Sequence, residues 1–327
     1  MNSTTYLYFH SFSGEPNQLL LASILHYYYF SSDYLLVTNI EKSVLYRFLP
    51  KDINIIHPNE VESDLTRHIS TLLCKNWDNA SIFANHPATE IHCFRRWLIL
   101  NDLYKLKLLD NNRLVFSHDW DDLIFLKLES LISNIPSHFF VNQNKGFVVA
   151  NHPHPVKAEM APHFILVNRL AISNYVSSLE HLCNSFIFHK RQNFFSDMVP
   201  WANLYHKYIH LNYGSAFLWR QLFENIYFDD NLRVLETAGY PVFSRAFVIP
   251  DNFNCMNNTN LLNVKYFSSA TDGNVYLHTR GSLLRTVDIH YSGTEGKFIM
   301  LQDLQCMLQP FYEFHVELKS NVSKLIL

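Results

Sequence analysis

Glycine is scarce, with eight in 327 residues, and none falls in G-x-G-x-x-G or G-x-x-x-x-G-K-[ST], the loops that bring backbone amides up to phosphate. That argues against a dinucleotide-type Rossmann site and a P-loop, so side chains or a metal ion must hold any nucleotide phosphate. The five cysteines, Cys74, Cys93, Cys183, Cys255 and Cys306, are odd in number, scattered and without C-x-x-C spacing. They argue against a disulfide framework and a structural zinc site, and fit a reducing compartment. Charge is thin as well: charged residues make up 17% of the chain, the formal net charge is -3, and Lys and Arg form no run. The footprint of a nucleic-acid or anionic-membrane binder is therefore missing. Long apolar runs are absent too. The longest uncharged stretch, Asn17 to Ser32, is broken by Asn, Ser and His, and the opening MNSTTYLYFH lacks a basic n-region and an apolar h-region. The expectation is a cytoplasmic protein without a transmembrane segment, with peripheral membrane association left open and the oligomeric state unspecified.

What the chain does have is apolar bulk. Hydrophobic residues are 48% of the sequence, enough to fill a substantial core in one large domain or two ordinary ones. The first forty residues alternate: TYLYFH reads as a strand, SFSGEPN as a turn, NQLLLASILHYYYF as a buried helix and YLLVTN as a second strand. Such alternation predicts an α/β architecture with a largely parallel sheet, and places His10 to Ser13 and Asn39 at the carboxyl edge where ligands bind. DLTRHISTLLCKNW and ATEIHCFRRWLILNDLYKL read as helices, the second with Ile91, Phe94, Leu98 and Leu103 near one face. LKLESLISN reads as a helix, HFFVNQNKGFVVAN as a strand, and the stretch from about Phe164 to Phe188 as one long helix. A further helix follows a cap at Ser196 or Asp197, and from Arg233 onward short strands and loops prevail. No repeat, low-complexity tract or Pro-rich linker marks a border, so a single domain over 1-327 is expected.

Two constellations carry chemistry. In LVFSHDWDDLIF an apolar strand runs into Asp119, Asp121 and Asp122 and then resumes, which would deliver carboxylates to the edge of a sheet. Hard divalent ions such as Mg²⁺ and Mn²⁺ take such oxygen ligands and fill their remaining positions with phosphate oxygens and water. Taken alone, the same residues also read as a solvated acidic turn. The second constellation runs from Asp288 to Lys297: a short strand ending in His290, a glycine-bearing turn through Gly293, then a lysine. Imidazole can complete a carboxylate metal site, glycine lets backbone approach a phosphate, and lysine can neutralise a leaving diphosphate.

Taken in order, an early βαβ unit, Phe94-Arg95-Arg96-Trp97, the block Asp119 to Phe125, Ser196-Asp197-Met198 and the turn His290-Tyr291-Ser292-Gly293 leading to Lys297 span roughly Tyr6 to Met300. In this order and spacing the chain resembles bacterial-type GT-A fold glycosyltransferases in the style of glycogenin and the lipopolysaccharide galactosyltransferases. The resemblance implies a Rossmann-type mixed sheet flanked by helices, with 1-126 binding the nucleotide sugar, 127-300 forming the acceptor and catalytic half, and 301-327 a C-terminal extension. It implies transfer of a hexose from a nucleoside diphosphate sugar, a UDP-sugar by preference, to a hydroxyl of a glycan or glycolipid, with retention of configuration. It further implies Mn²⁺ or Mg²⁺ held by Asp119, Asp121 and His290. Arg96, Gly293, Lys297, His10 and Ser11 would then lie along the nucleotide and phosphates, and Asp197 by the reacting sugar. The sequence departs from that pattern at Trp120 and Asp122, and Lys297 lies one residue farther from Gly293 than H-x-x-G-x-x-K would put it.

A rival site is the His152-Pro153-His154 pair after GFVVA, which would suit a metal-dependent hydrolase built as a barrel, although the pair lies mid-chain in a Pro-rich turn. A non-catalytic glycan-binding protein is the other alternative. Trp201, Tyr205, Tyr208 and Tyr213 are candidates for stacking on acceptor sugars, against the plainer reading of helix packing.

Overall fold

In the computed structural model the chain is described over residues 5–11, 16–30, 33–76, 87–120, 122–124, 128–133, 135, 145–150, 162, 164–188, 196–211, 213–219, 226–227, 253–255, 265–269, 275–279, 282–286 and 288–290. The first half alternates strand and helix as its hydrophobic pattern predicts. Strand β1 (Thr5–Ser11) is followed by helix α1 (Gln18–Phe30), β2 (Tyr34–Thr38), the short α2 (Lys42–Leu45) and β3 (Asn54–Ile56). Helices α3 (Asp64–Asn76) and α4 (Pro87–Lys105) lead to β4 (Leu114–His118), β5 (Asp122–Ile124) and α5 (Leu128–Ser133). Then come β6 (Gly146–Ala150), β7 (Phe164–Val167), α6 (Arg169–Phe188), α7 (Met198–Leu211) and β8 (Gly214–Leu218).

Seven of these strands form one sheet in the order β3-β2-β1-β4-β7-β6-β8. β1, β2, β3 and β4 are mutually parallel, β7 runs against both β4 and β6, and β8 is parallel to β6. The sheet is therefore mixed, flanked by helices, and its first four strands bring their carboxyl ends to one edge.

The long helix expected from Phe164 does not begin there. Phe164, Ile165, Leu166 and Val167 form β7, inside the sheet, and all four are buried. Four bulky apolar residues in a row suit a strand covered on both faces, a pattern that periodicity cannot tell from a buried helix. Asn168 ends the strand and caps α6: its Oδ1 accepts from the amide of Ala171 at 3.0 Å and from that of Phe147 at 3.0 Å, while its Nδ2 donates to the Lys145 carbonyl. In HFFVNQNKGFVVAN the described strand is GFVVA alone.

The core is centred on α4. The expected single apolar face is replaced by burial on all sides, since every residue from Phe94 to Tyr104 except the half-buried Arg95 is buried. α4 packs against both α3 and α6, which leaves it no solvent face in that stretch. It closes at Lys107, whose φ of 60° is left-handed; the Leu108 amide bonds to the Leu103 carbonyl and the Lys107 amide to that of Tyr104. At the far side α7 is pinned to the sheet by close approach. Gly146 and Gly214 pair across β6 and β8, and a Cβ on Gly214 would lie 2.8 Å from the Tyr208 ring and 2.6 Å from the Gly146 carbonyl oxygen. Only glycine leaves room for that ring.

β9 (Ile226–Tyr227), β10 (Phe253–Cys255), β11 (Lys265–Ser269), β12 (Val275–Thr279) and β13 (Ser282–Thr286) form a second sheet in the order β10-β11-β12-β13-β9. β14 (Asp288–His290) leaves it to pair antiparallel with β5. Among the described residues no helix is long and apolar enough to cross a membrane.

Candidate functional site

The candidate site is built where β1 and β4 end. β1 closes with His10 and Ser11, both buried. Burial, reinforced by Arg95, His92 and Arg96, pushes the His10 pKa well below its ordinary value and keeps the imidazole neutral. β4 closes with His118, and Asp119 follows at the rim, its side chain one third exposed.

Arg96, on the buried helix α4, reaches this edge. Its Nη1 pairs with Asp119 and its Nη2 donates to Asp197 Oδ2 at 2.9 Å. Burial works against the guanidinium charge, but the two carboxylates outweigh it and raise the pKa further. Asp197 Oδ2 also accepts from Trp97 Nε1 at 3.1 Å. Its pKa is raised because desolvation outweighs the lowering by Arg96. Around it Tyr175 stacks on Trp201 with centroids 4.5 Å apart, and Trp97 meets Trp201 edge-on at 5.0 Å. The cap of α7 is thereby assigned: the Ser196 hydroxyl accepts from the Met198 amide, which leaves the Asp197 carboxylate to Arg96 and Trp97. Arg96 thus ties the acidic motif after β4 to the start of α7, 101 residues from itself in sequence.

Beneath the motif lies an aromatic layer that sequence reasoning missed. His118 is sandwiched between Phe9 and Tyr27, with ring centroids at 5.1 Å and 3.4 Å. Its Nδ1 lies 2.9 Å from the Asp119 carbonyl and its Nε2 3.3 Å from the Tyr34 hydroxyl. His26 holds the Ile124 carbonyl through Nε2 at 2.6 Å, and the neighbouring Tyr27 hydroxyl donates to the Asp122 carbonyl. Both ends of β5 are therefore fastened by one turn of α1. Burial drives the His26 pKa down to about 4 and that of His118 to about 3, so both are neutral. The tyrosine and histidine run HYYYF was legible as a buried helix segment; which of its polar atoms would meet β5 was not, because the partners are backbone carbonyls almost a hundred residues away.

β5 in turn receives β14. The antiparallel register sets His290 opposite Asp122 and Asp288 opposite Ile124, so the end of the late strand arrives beside Asp122. Asp122 is fully buried. Asp121, Gly293 and Lys297 lie outside the described residues, as do His152 and His154. Among the described residues no group of three or more His, Cys, Asp or Glu side chains is placed to hold a metal ion.

Three of the four aromatic residues proposed for sugar stacking serve the core instead. Trp201, Tyr205 and Tyr208 are buried, and Tyr208 accepts from Asn174 at 2.8 Å; Tyr213 is exposed. Their spacing on α7 is that of a helix face turned to α6 and the sheet.

Comparison with protein-family models, with curated proteins and with solved structures found no match to this chain.

Proposed function

We propose that this chain is a metal-dependent GT-A-type glycosyltransferase that moves a hexose from a nucleoside diphosphate sugar, a UDP-sugar by preference, to a hydroxyl of a glycan or glycolipid. The observation that carries the reading is the register of β14 on β5. Two segments singled out for metal chemistry, about 170 residues apart in sequence, meet with His290 opposite Asp122 and Asp119 three residues before it. Carboxylate oxygens and an imidazole form a donor set suited to Mn²⁺ or Mg²⁺, and Asp119, Asp121 or Asp122, with His290, would hold the ion. Bound there, the ion would supply charge stabilisation for a departing diphosphate. The sheet order, with four parallel strands opening on the same edge and one reversed strand after them, supports the same architecture.

The chain's own residues would divide the work. His10 and Ser11, at the end of β1, would line the nucleotide side, and Gly293 and Lys297, which follow His290 in the sequence, would serve the phosphates. Arg96 contributes by orientation. By pairing with both carboxylates it fixes Asp119 and Asp197 relative to each other, so that the donor and acceptor sides keep one geometry. Asp197 accepts from Arg96 and Trp97, an arrangement that suits a carboxylate stabilising positive charge on the reacting sugar or orienting the acceptor. A free base on the opposite face would suit inversion; this pairing favours retention.

Thermal denaturation with a panel of nucleotides, with and without Mn²⁺, tests the reading. Stabilisation selective for UDP plus Mn²⁺ is expected, since a ligand that binds only the native state raises stability by mass action. Asp119→Ala and Asp121→Ala should each abolish Mn²⁺-stimulated hydrolysis of the sugar nucleotide while the protein stays folded. Unchanged activity in both would overturn the metal assignment, and an inverted product anomer would overturn retention.

A further inference from the structure

Away from the sheet edge, α6 and α7 leave between them an open groove of about 450 Å³, lined among others by His181, Asn203, His206, Lys207 and His210. His206 and His210 stand four residues apart on α7, which puts them one above the other on the same helix face. Their rings are nearly parallel, inclined by 10°, with centroids 5.9 Å apart. Both side chains are exposed, while Tyr205 and Tyr208 bury the other side of the same helix turn and hold its backbone in place. His181 belongs to the α6 wall of the groove.

Imidazole nitrogen is the ligand of borderline transition ions, and two imidazoles one helical turn apart can reach one ion without any change in the backbone. We propose that His206 and His210 form a binding site for a divalent transition ion of the Zn²⁺, Ni²⁺ or Cu²⁺ class, whose remaining positions are open to water or to an outside ligand in the groove. Hard ions such as Mn²⁺ and Mg²⁺ favour oxygen and discriminate against this pair. The site is also separate from Asp197, which immediately precedes α7 and lies nine residues before His206, hence about 14 Å away along the helix axis. It requires nothing of the transferase reading.

Isothermal titration of the full chain with Ni²⁺ alone tests the proposal. Each of H206Q and H210Q is expected to weaken one site by about tenfold or more, and the double variant to remove it. Because both residues are exposed, the variants should keep the wild-type melting temperature without metal. One equivalent of Cu²⁺ should show imidazole-nitrogen hyperfine coupling in its electron paramagnetic resonance spectrum, lost in the double variant. Mn²⁺-dependent turnover of a sugar nucleotide should be the same in the double variant as in the wild type, which separates the fate of this site from that of the transferase. An isotherm unchanged in the double variant, or no Ni²⁺ binding by the wild type up to about 1 mM, would overturn the proposal.

Discussion

Acidification should loosen this protein through its buried histidines, two of which set a magnitude. His26 and His118 are buried and neutral, with pKa values lowered from 6.5 to about 4 and about 3. In the unfolded chain each binds a proton below its ordinary value, so the unfolded state gains protons first as pH falls. The stability they allow is fully present above pH 6.5 and is lost progressively toward their folded values. At pH 5 each histidine is about 1.5 pH units below its unfolded value and still unprotonated in the fold. At 1.36 kcal/mol per unit, each removes about 2 kcal/mol, and the pair about 4 kcal/mol. That is a large share of the stability of an ordinary domain. Urea denaturation at pH 8 and pH 5 at constant ionic strength measures the loss, and His26→Gln isolates one half of it. Glutamine can still donate to the Ile124 carbonyl but does not titrate, so the variant should lose about 2 kcal/mol less than the wild type over this interval. Equal losses in the two proteins would refute the assignment of the acid response to His26. A protonated His26 still donates through Nε2 to the Ile124 carbonyl, so the loss comes from burying the charged ring and not from breaking this contact.

Two further substitutions test the other main contacts. Arg96→Met removes the counter-charge of the buried Asp197 and should cost about 3–5 kcal/mol in urea denaturation, with part recovered in the Arg96→Met/Asp197→Asn double variant; equal losses in single and double variants would contradict the ion-pair reading. Lys107→Gly should raise stability by about 1 kcal/mol, because the left-handed turn after α4 is strained for lysine and open to glycine; a lower urea midpoint would show that the lysine side chain contributes more than its backbone costs.

Local pattern determined the first half of this protein. Alternating apolar strands and helices between Tyr6 and Lys105 are legible because each element's period and its turn residues act over a few neighbours, and the parallel edge at His10 and Asp119 follows from that alternation. The acidic motif was legible as chemistry for the same reason: three carboxylates cannot sit inside an apolar run without a polar task or solvent. Where the pattern was ambiguous, tertiary packing decided. Phe164 to Val167 satisfies a buried strand or a buried helix equally, and only the vacancy between β4 and β6 selects the strand. Ser196 and Asp197 suited the cap of α7 equally in sequence; in the fold Ser196 takes the cap and the Asp197 carboxylate turns to Arg96. The register that sets His290 against Asp122, and the fastening of β5 by His26 and Tyr27, join residues about a hundred or more positions apart. Such contacts are selected by the closing of the whole core, whose energy no local window of sequence contains.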